Sequence, residues 1–107
     1  MRAIAVALMM LVAGSAMAAP GRCLLVVDGR TYLNGPCPVE LLPGGSFMVG
    51  AGRGASHFAQ VTVEGAGSAS GYWNEEPGAT HAHSSLGSLR RNDACWTNER
   101  AIICAWR

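Results

Sequence analysis

The sequence contains no lysine among its 107 residues, which removes Schiff-base and other lysine chemistry at the outset. It also lacks a surplus of charge. Beyond residue 18, seven arginines balance two aspartates and five glutamates. A neutral chain argues against nucleic acid or an anionic lipid surface as the main partner, since both are held by a basic excess. No apolar run is long enough to cross a bilayer: from Ala3 to Val12 all ten residues are apolar, and with Ala13 the run reaches eleven, against the roughly 20 required. Nor is there a window for a long helix. Thirteen glycines and five prolines interrupt the 89 residues after Ala18 at short intervals.

What is present begins with a leader. Met1 and Arg2 precede the apolar run, and Ala16-Met17-Ala18 supplies a small-residue cleavage site, so residues 1–18 read as a secretory signal peptide. Residues 19–107 then form a single domain, exported to the periplasm. Its apolar share is 38 of 89 residues, an ordinary globular value. Cys23 follows Pro20-Gly21-Arg22 and is not the first residue after the leader, so the chain lacks the acylated cysteine of a lipoprotein and has no membrane anchor.

The four cysteines, Cys23, Cys37, Cys95 and Cys104, are an even set in an exported chain and read as two disulfides. They form two close pairs at opposite ends of the domain. Cys23–Cys37 and Cys95–Cys104 are therefore favoured among the three connectivities, each contributing on the order of 3 kcal/mol in the chain-entropy account. The spacings lack the short CxxC grouping of a structural zinc site.

The patterning predicts a mainly β fold: a small antiparallel sheet, sandwich or barrel carrying two disulfides. Cys23 to Asp28 is a β-branched run ending at Asp28-Gly29, and Thr31 to Leu33 precedes a second turn signal, Asn34-Gly35-Pro36. Val39–Leu42 and Ser46–Val49 flank a turn at Pro43-Gly44-Gly45. The clearest half-buried strand is His57 to Glu64, with His57, Ala59, Val61 and Val63 on one face. Gly65 to Gly71 reads as a flexible connection before the short aromatic strand Tyr72 to Asn74. Glu75 to Ser88 has no apolar period and reads as an irregular loop. The last hairpin pairs Ala94–Thr97 with Ala101–Arg107 across Asn98-Glu99-Arg100, and places Ile102, Cys104 and Trp106 on one face, with the disulfide packed against a tryptophan.

No convincing catalytic set emerges. Paired cysteines leave no thiol nucleophile, and the only aspartates near Ser84, Ser85, His81 and His83 in any triad would be Asp28 and Asp93, both at turns. Glu75 and Glu76 are adjacent and point apart in an extended chain, unlike the facing carboxylates of a glycosidase. His81 and His83 would share a face if extended, but a third metal ligand from Glu75, Glu76 or His57 has no fixed spacing, so neither metal nor cofactor is expected. Gly50 to Gly54 lacks the following helix that a phosphate loop requires. The better use of the irregular loop is recognition: His81, His83, Ser84, Ser85, Arg90 and Arg91 offer hydrogen-bond donors, with Trp73 beside them as an apolar anchor.

The segments VDGRTYLNGPC (27–37), GSFMVG (45–50), FAQV (58–61), GYWN (71–74), HAH (81–83), LGSL (86–89), ACWTN (94–98) and IICAWR (102–107) together resemble a small exported alpha-proteobacterial family of periplasmic proteins. That family is in turn similar to inhibitors of peptidoglycan hydrolases such as lysozyme. The resemblance implies a non-enzymatic partner of a lysozyme or lytic transglycosylase, with a loop inserted into the cleft and donors set against the catalytic carboxylates. Ser68 to Tyr72 loosely echoes the SxxGxxY motif of the membrane-bound inhibitors, whose lipobox is absent here. A neutral chain leaves an endogenous hydrolase as open as a basic host lysozyme. The alternatives are a glycan-binding envelope module using Trp73 and Tyr72, and a metal-binding periplasmic protein using His81 and His83.

Overall fold

A computed structural model describes residues 19–50 and 56–107; the leader and part of the Gly50–Gly54 segment lie outside the described residues. Eight strands run in chain order: β1 (Ala19–Val27), β2 (Arg30–Leu41), β3 (Phe47–Val49), β4 (Ala59–Gly65), β5 (Ser68–Trp73), β6 (Ser84–Asn92), β7 (Cys95–Thr97) and β8 (Ala101–Trp106). Each pairs antiparallel with its neighbour, and β8 returns to β1, so the sheet closes into an up-and-down barrel. A closed barrel leaves no free outer strand to template association. It is the barrel among the three β architectures that the patterning allowed. One short 3-10 turn, Pro43–Gly45, links β2 to β3.

The β1–β2 hairpin turns on Asp28 and Gly29, with φ of 51° and 79°. Two successive positive φ values are the signature of a tight two-residue turn whose twist matches the flanking strands, and Asp-Gly is a favoured pair for it. The disulfides join the expected partners. Cys23–Cys37 staples β1 to β2, and Cys95–Cys104 links directly opposed residues of β7 and β8. Two structural disulfides indicate a protein that folds outside the reducing cytoplasm. Among the described residues no helix is long and apolar enough to cross a membrane.

The second turn expected at Asn34-Gly35-Pro36 is not a turn. β2 runs straight through it, with Gly35 opposite Cys23 and Pro36 opposite Arg22. Proline is tolerated because of which way the strand's polar groups point. Pro38 accepts from the Gly50 amide, so its carbonyl, and with it the missing N–H, faces β3 rather than β1. β3 pairs with β2 only from Val39 to Leu41, and Pro36 therefore lies on a stretch that needs no donor on that side.

Gly65 to Gly71 is likewise not a flexible connection. It contains a two-residue turn and the first half of β5, because Ala69, Gly71 and Trp73 are the inward face of a strand. Across from them on β4 stand Val63, Val61 and Ala59, small residue opposite large at the ends of the series. The barrel is too narrow for bulk on both sides. A Cβ on Gly71 would lie 2.7 Å from the Leu89 Cδ1 and 3.4 Å from both Ile103 and Leu86.

The loop expected over Glu75 to Ser88 ends at His83, and β6 begins at Ser84. Its alternation is hidden by a bulge: Tyr72 pairs with Ser85 but Gly71 pairs with Gly87, leaving Leu86 as the extra residue. Leu86 and Leu89, three apart, both become fully buried, and Gly87 takes the positive φ of 85° that the bulge requires. The tryptophans also depart from expectation. Trp106 is 43% exposed on the outer face with Ile102, whereas Trp73 is 3% exposed in the core.

The tight interior yields a direct test. Gly71→Val should lower stability by about 1 to 3 kcal/mol through overpacking, read as a shift in the urea midpoint at unchanged slope. A variant as stable as the parent would show that the interior has room to spare.

Candidate functional site

The barrel has two ends of different character. The first holds the Asp28-Gly29 turn, the β3–β4 and β5–β6 connections and the Asn98–Arg100 turn; the other holds the β2–β3, β4–β5 and β6–β7 connections. The β5–β6 connection, residues 74–83, is the longest fully described one, and its shape rests on Asn74.

Asn74 is 3% exposed and uses its whole amide. Its Oδ1 accepts from the Phe58 amide at 2.7 Å, and its Nδ2 donates to the carbonyls of Ser56 and Ala79 at 3.0 Å each. The Gly78 amide adds a bond to the Ser56 carbonyl at 2.9 Å. A single side chain thus ties the β5–β6 connection to the segment leading into β4. Beneath it, the Asn74 carbonyl lies 3.1 Å from His57 Nδ1, and the His57 ring stacks on Trp73 with centroids 5.5 Å apart. Tyr32 meets both rings edge-on at 4.7 Å. Tyr32 can reach them because it is the extra residue in a bulge between β1 and β2. This aromatic floor is the place of Trp73, which supports the loop from below rather than standing beside it as an anchor.

Above the floor lies an open cleft of about 610 Å³ lined by Glu75, Glu76, His81, His83 and Ser84. His81 and His83 are exposed, with ring centroids 5.4 Å apart and edges facing. The alternating spacing does bring the two imidazoles together. Among the described residues, however, no group of three or more His, Cys, Asp or Glu side chains is placed to hold a metal ion. Ser85, exposed on β6, turns its hydroxyl back to accept from the Gly87 amide at 3.1 Å.

Arg90 and Arg91 do not join this cleft. Because β6 is a strand and not a loop, six residues from Ser84 to Arg90 carry the chain about 20 Å to the opposite end. One cationic group at the histidine end is instead Arg100, which sequence reasoning did not single out. It forms a two-pronged ion pair with Asp28, Nε to Oδ1 and Nη2 to Oδ2, each 3.1 Å. The hydrogen bond from Arg100 holds the Asp28 carboxyl below its usual range, and Asp28 in turn raises Arg100. Among the described residues Asp28, Glu75, Glu76 and Glu99 stand at this end with Arg30 and Arg100, and both glutamates of the β5–β6 loop line the cleft.

Two outcomes follow. Asn74→Ala strands the Phe58 amide and two carbonyls, so stability should fall by roughly 2 to 3 kcal/mol, with hydrogen exchange accelerated over residues 75–83 before the strands. Asp28→Asn keeps a residue suited to the turn but removes the charge. Since the folded-state value of Asp28 is depressed, its contribution is present above the normal carboxylate range and disappears as pH falls through the folded value. The parent should thus exceed Asp28→Asn in melting temperature at neutral pH and converge with it in acid. The gap should shrink with added salt because the pair is exposed.

No protein family, curated protein or solved structure matches the chain.

Proposed function

We propose that the protein is an exported, non-catalytic binder that seats its β5–β6 loop in the cleft of a peptidoglycan-cleaving hydrolase, of lysozyme or lytic transglycosylase type, and blocks it. Residues 1–18 act as its signal peptide and the periplasm is its place of work. The observation that carries this reading is the loop that Asn74 ties down at Ala79, with exposed His81 and His83 brought together just beyond the tie. A loop ordered before binding loses little conformational freedom on docking.

The chemistry of the loop suits such a cleft. Imidazole N–H groups from His81 and His83, and the hydroxyl of Ser84, donate to the hydrolase's catalytic carboxylates. Glu75 and Glu76, on the same loop, complement a basic cleft rim. Ser85 lies at the edge of this surface. Arg90, Arg91 and Trp73 take no direct part, the first two at the far end and the third in the core.

Lysis of peptidoglycan followed by turbidity, with a lysozyme and a lytic transglycosylase as separate targets, checks the proposal. Saturable inhibition is expected for at least one. The His81→Ala, His83→Ala double variant should weaken it by at least about tenfold while melting like the parent. Full lytic activity of both enzymes at large molar excess of the protein would reject the reading.

A further inference from the structure

The barrel end opposite the histidines carries a second depression, of about 340 Å³, which the proposed docking does not use. Its walls are apolar. Val39, Phe47 and Trp96 are core residues, at most 7% exposed, that show their edges there, and Leu41 forms part of the lip at 61% exposure. Trp106, 43% exposed, lies in sequence between two lining residues, Ala105 and Arg107. Among the described residues, two of the three large exposed hydrophobic side chains therefore lie at this end.

The rim carries more positive than negative charge. Arg91 and Arg107 line the opening with Asp93, an excess of one positive charge. Arg91 is pinned there by its Nε, which donates to the Asp93 carbonyl at 3.1 Å. The remaining fork of Nη nitrogens is the edge with which a guanidinium grips carboxylate or phosphate. Arg22 and Arg90 strengthen the same field: with Arg91 and Arg107 they face Glu40, Glu64 and Asp93 at this end.

We propose that this mouth binds a small amphipathic anion, its apolar chain or ring seated against Trp96 and Phe47 and its carboxylate or phosphate held by Arg91 and Arg107. The volume lies at the lower end of the roughly 300 to 1,000 Å³ range of ligand sites, which suits a short acyl chain or a single ring rather than a whole lipid. The barrel interior below is packed, so the ligand sits in the mouth and does not thread the barrel.

Tryptophan fluorescence of the purified protein reports on the site, because Trp96 lines it. Titration with decanoate and with decyl phosphate is expected to give saturable changes, and the tighter of the two identifies the head group. Decanol should bind about tenfold more weakly, the equivalent of one charge-assisted hydrogen bond, and decyltrimethylammonium more weakly still. Arg91→Gln with Arg107→Gln should erase the preference for anions. Ala94→Phe should fill the mouth and abolish the signal, with an unchanged thermal melt to show that the barrel is intact. His81→Ala with His83→Ala should leave it untouched, which separates this site from the docking loop. Equal affinity for anion, alcohol and cation, an anion preference that survives loss of both arginines, or no saturable change with either anion would overturn the proposal.

Discussion

Closure governs this molecule. β1 must pair with β2 on one side and β8 on the other, and eight strands bent into a ring from so short a chain leave an interior only wide enough for side chains to fill. That width decides which residues can face inward. Ala59, Ala69, Gly71 and Ala101 lie inside alongside Leu25, Val49, Val61, Leu86, Leu89 and Ile103. Trp73 fits only because its cross-strand partner is Ala59. The same constraint places one tryptophan at each mouth, Trp73 at the histidine end and Trp96 at the other, where the packed interior opens. Both candidate sites are thus consequences of how the barrel is plugged.

Closure by backbone alone is incomplete, because β3 and β7 are only three residues long. Beyond β7, the carbonyls of Leu86 and Ser88 on β6 would lack ladder partners. Asn98 supplies them: its Nδ2 donates to both, at 2.8 and 3.0 Å, while its Oδ1 accepts from the amides of Arg100 and Ala101. Asn74 does the corresponding work between the β5–β6 connection and the segment before β4. Two side-chain amides thus complete the hydrogen bonding at one end of the barrel, each group satisfied, and no buried side-chain nitrogen or oxygen among the described residues is left without a partner. This end can carry an irregular loop because its first half, Asn74 to Ala79, is hydrogen-bonded to itself and to the segment before β4.

These features explain what could and could not be read from the residues. The His57–Glu64 alternation, the Asp28-Gly29 turn and the cysteine spacings each express a local rule that closure does not disturb. Asn34-Gly35-Pro36 misleads because turn chemistry is a property of the residue, whereas tolerance of proline depends on which edge of a strand is unpaired. Leu86 and Leu89 violate a period of two because a bulge intervenes, and a bulge is invisible without its partner strand. In the final strand, residues 101 to 106 are apolar on both faces, so alternation alone cannot choose the inner one. The narrow interior selects Ala101 and Ile103 and turns Ile102 and Trp106 out together. The candidate site was legible only in part: His81, His83 and Ser84 meet, but Arg90 and Arg91 were grouped with them by sequence proximity along what proves to be a strand.

That misplacement changes the meaning of the net charge. A neutral total suggested a surface without electrostatic preference, yet the strand β6 carries its histidine-and-serine start and its arginine finish to opposite ends of the barrel. Among the described residues the β5–β6 loop of the first end carries Glu75 and Glu76 and no arginine, and the second end has four arginines against three acids. Opposite charges held apart on a rigid frame do not cancel for a partner that touches only one end, since screening at physiological salt confines each to about 8 Å. The barrel therefore presents two independent chemistries, an acidic loop rich in hydrogen-bond donors and an apolar mouth edged with guanidinium. A ligand at one has no electrostatic reason to compete with a partner at the other.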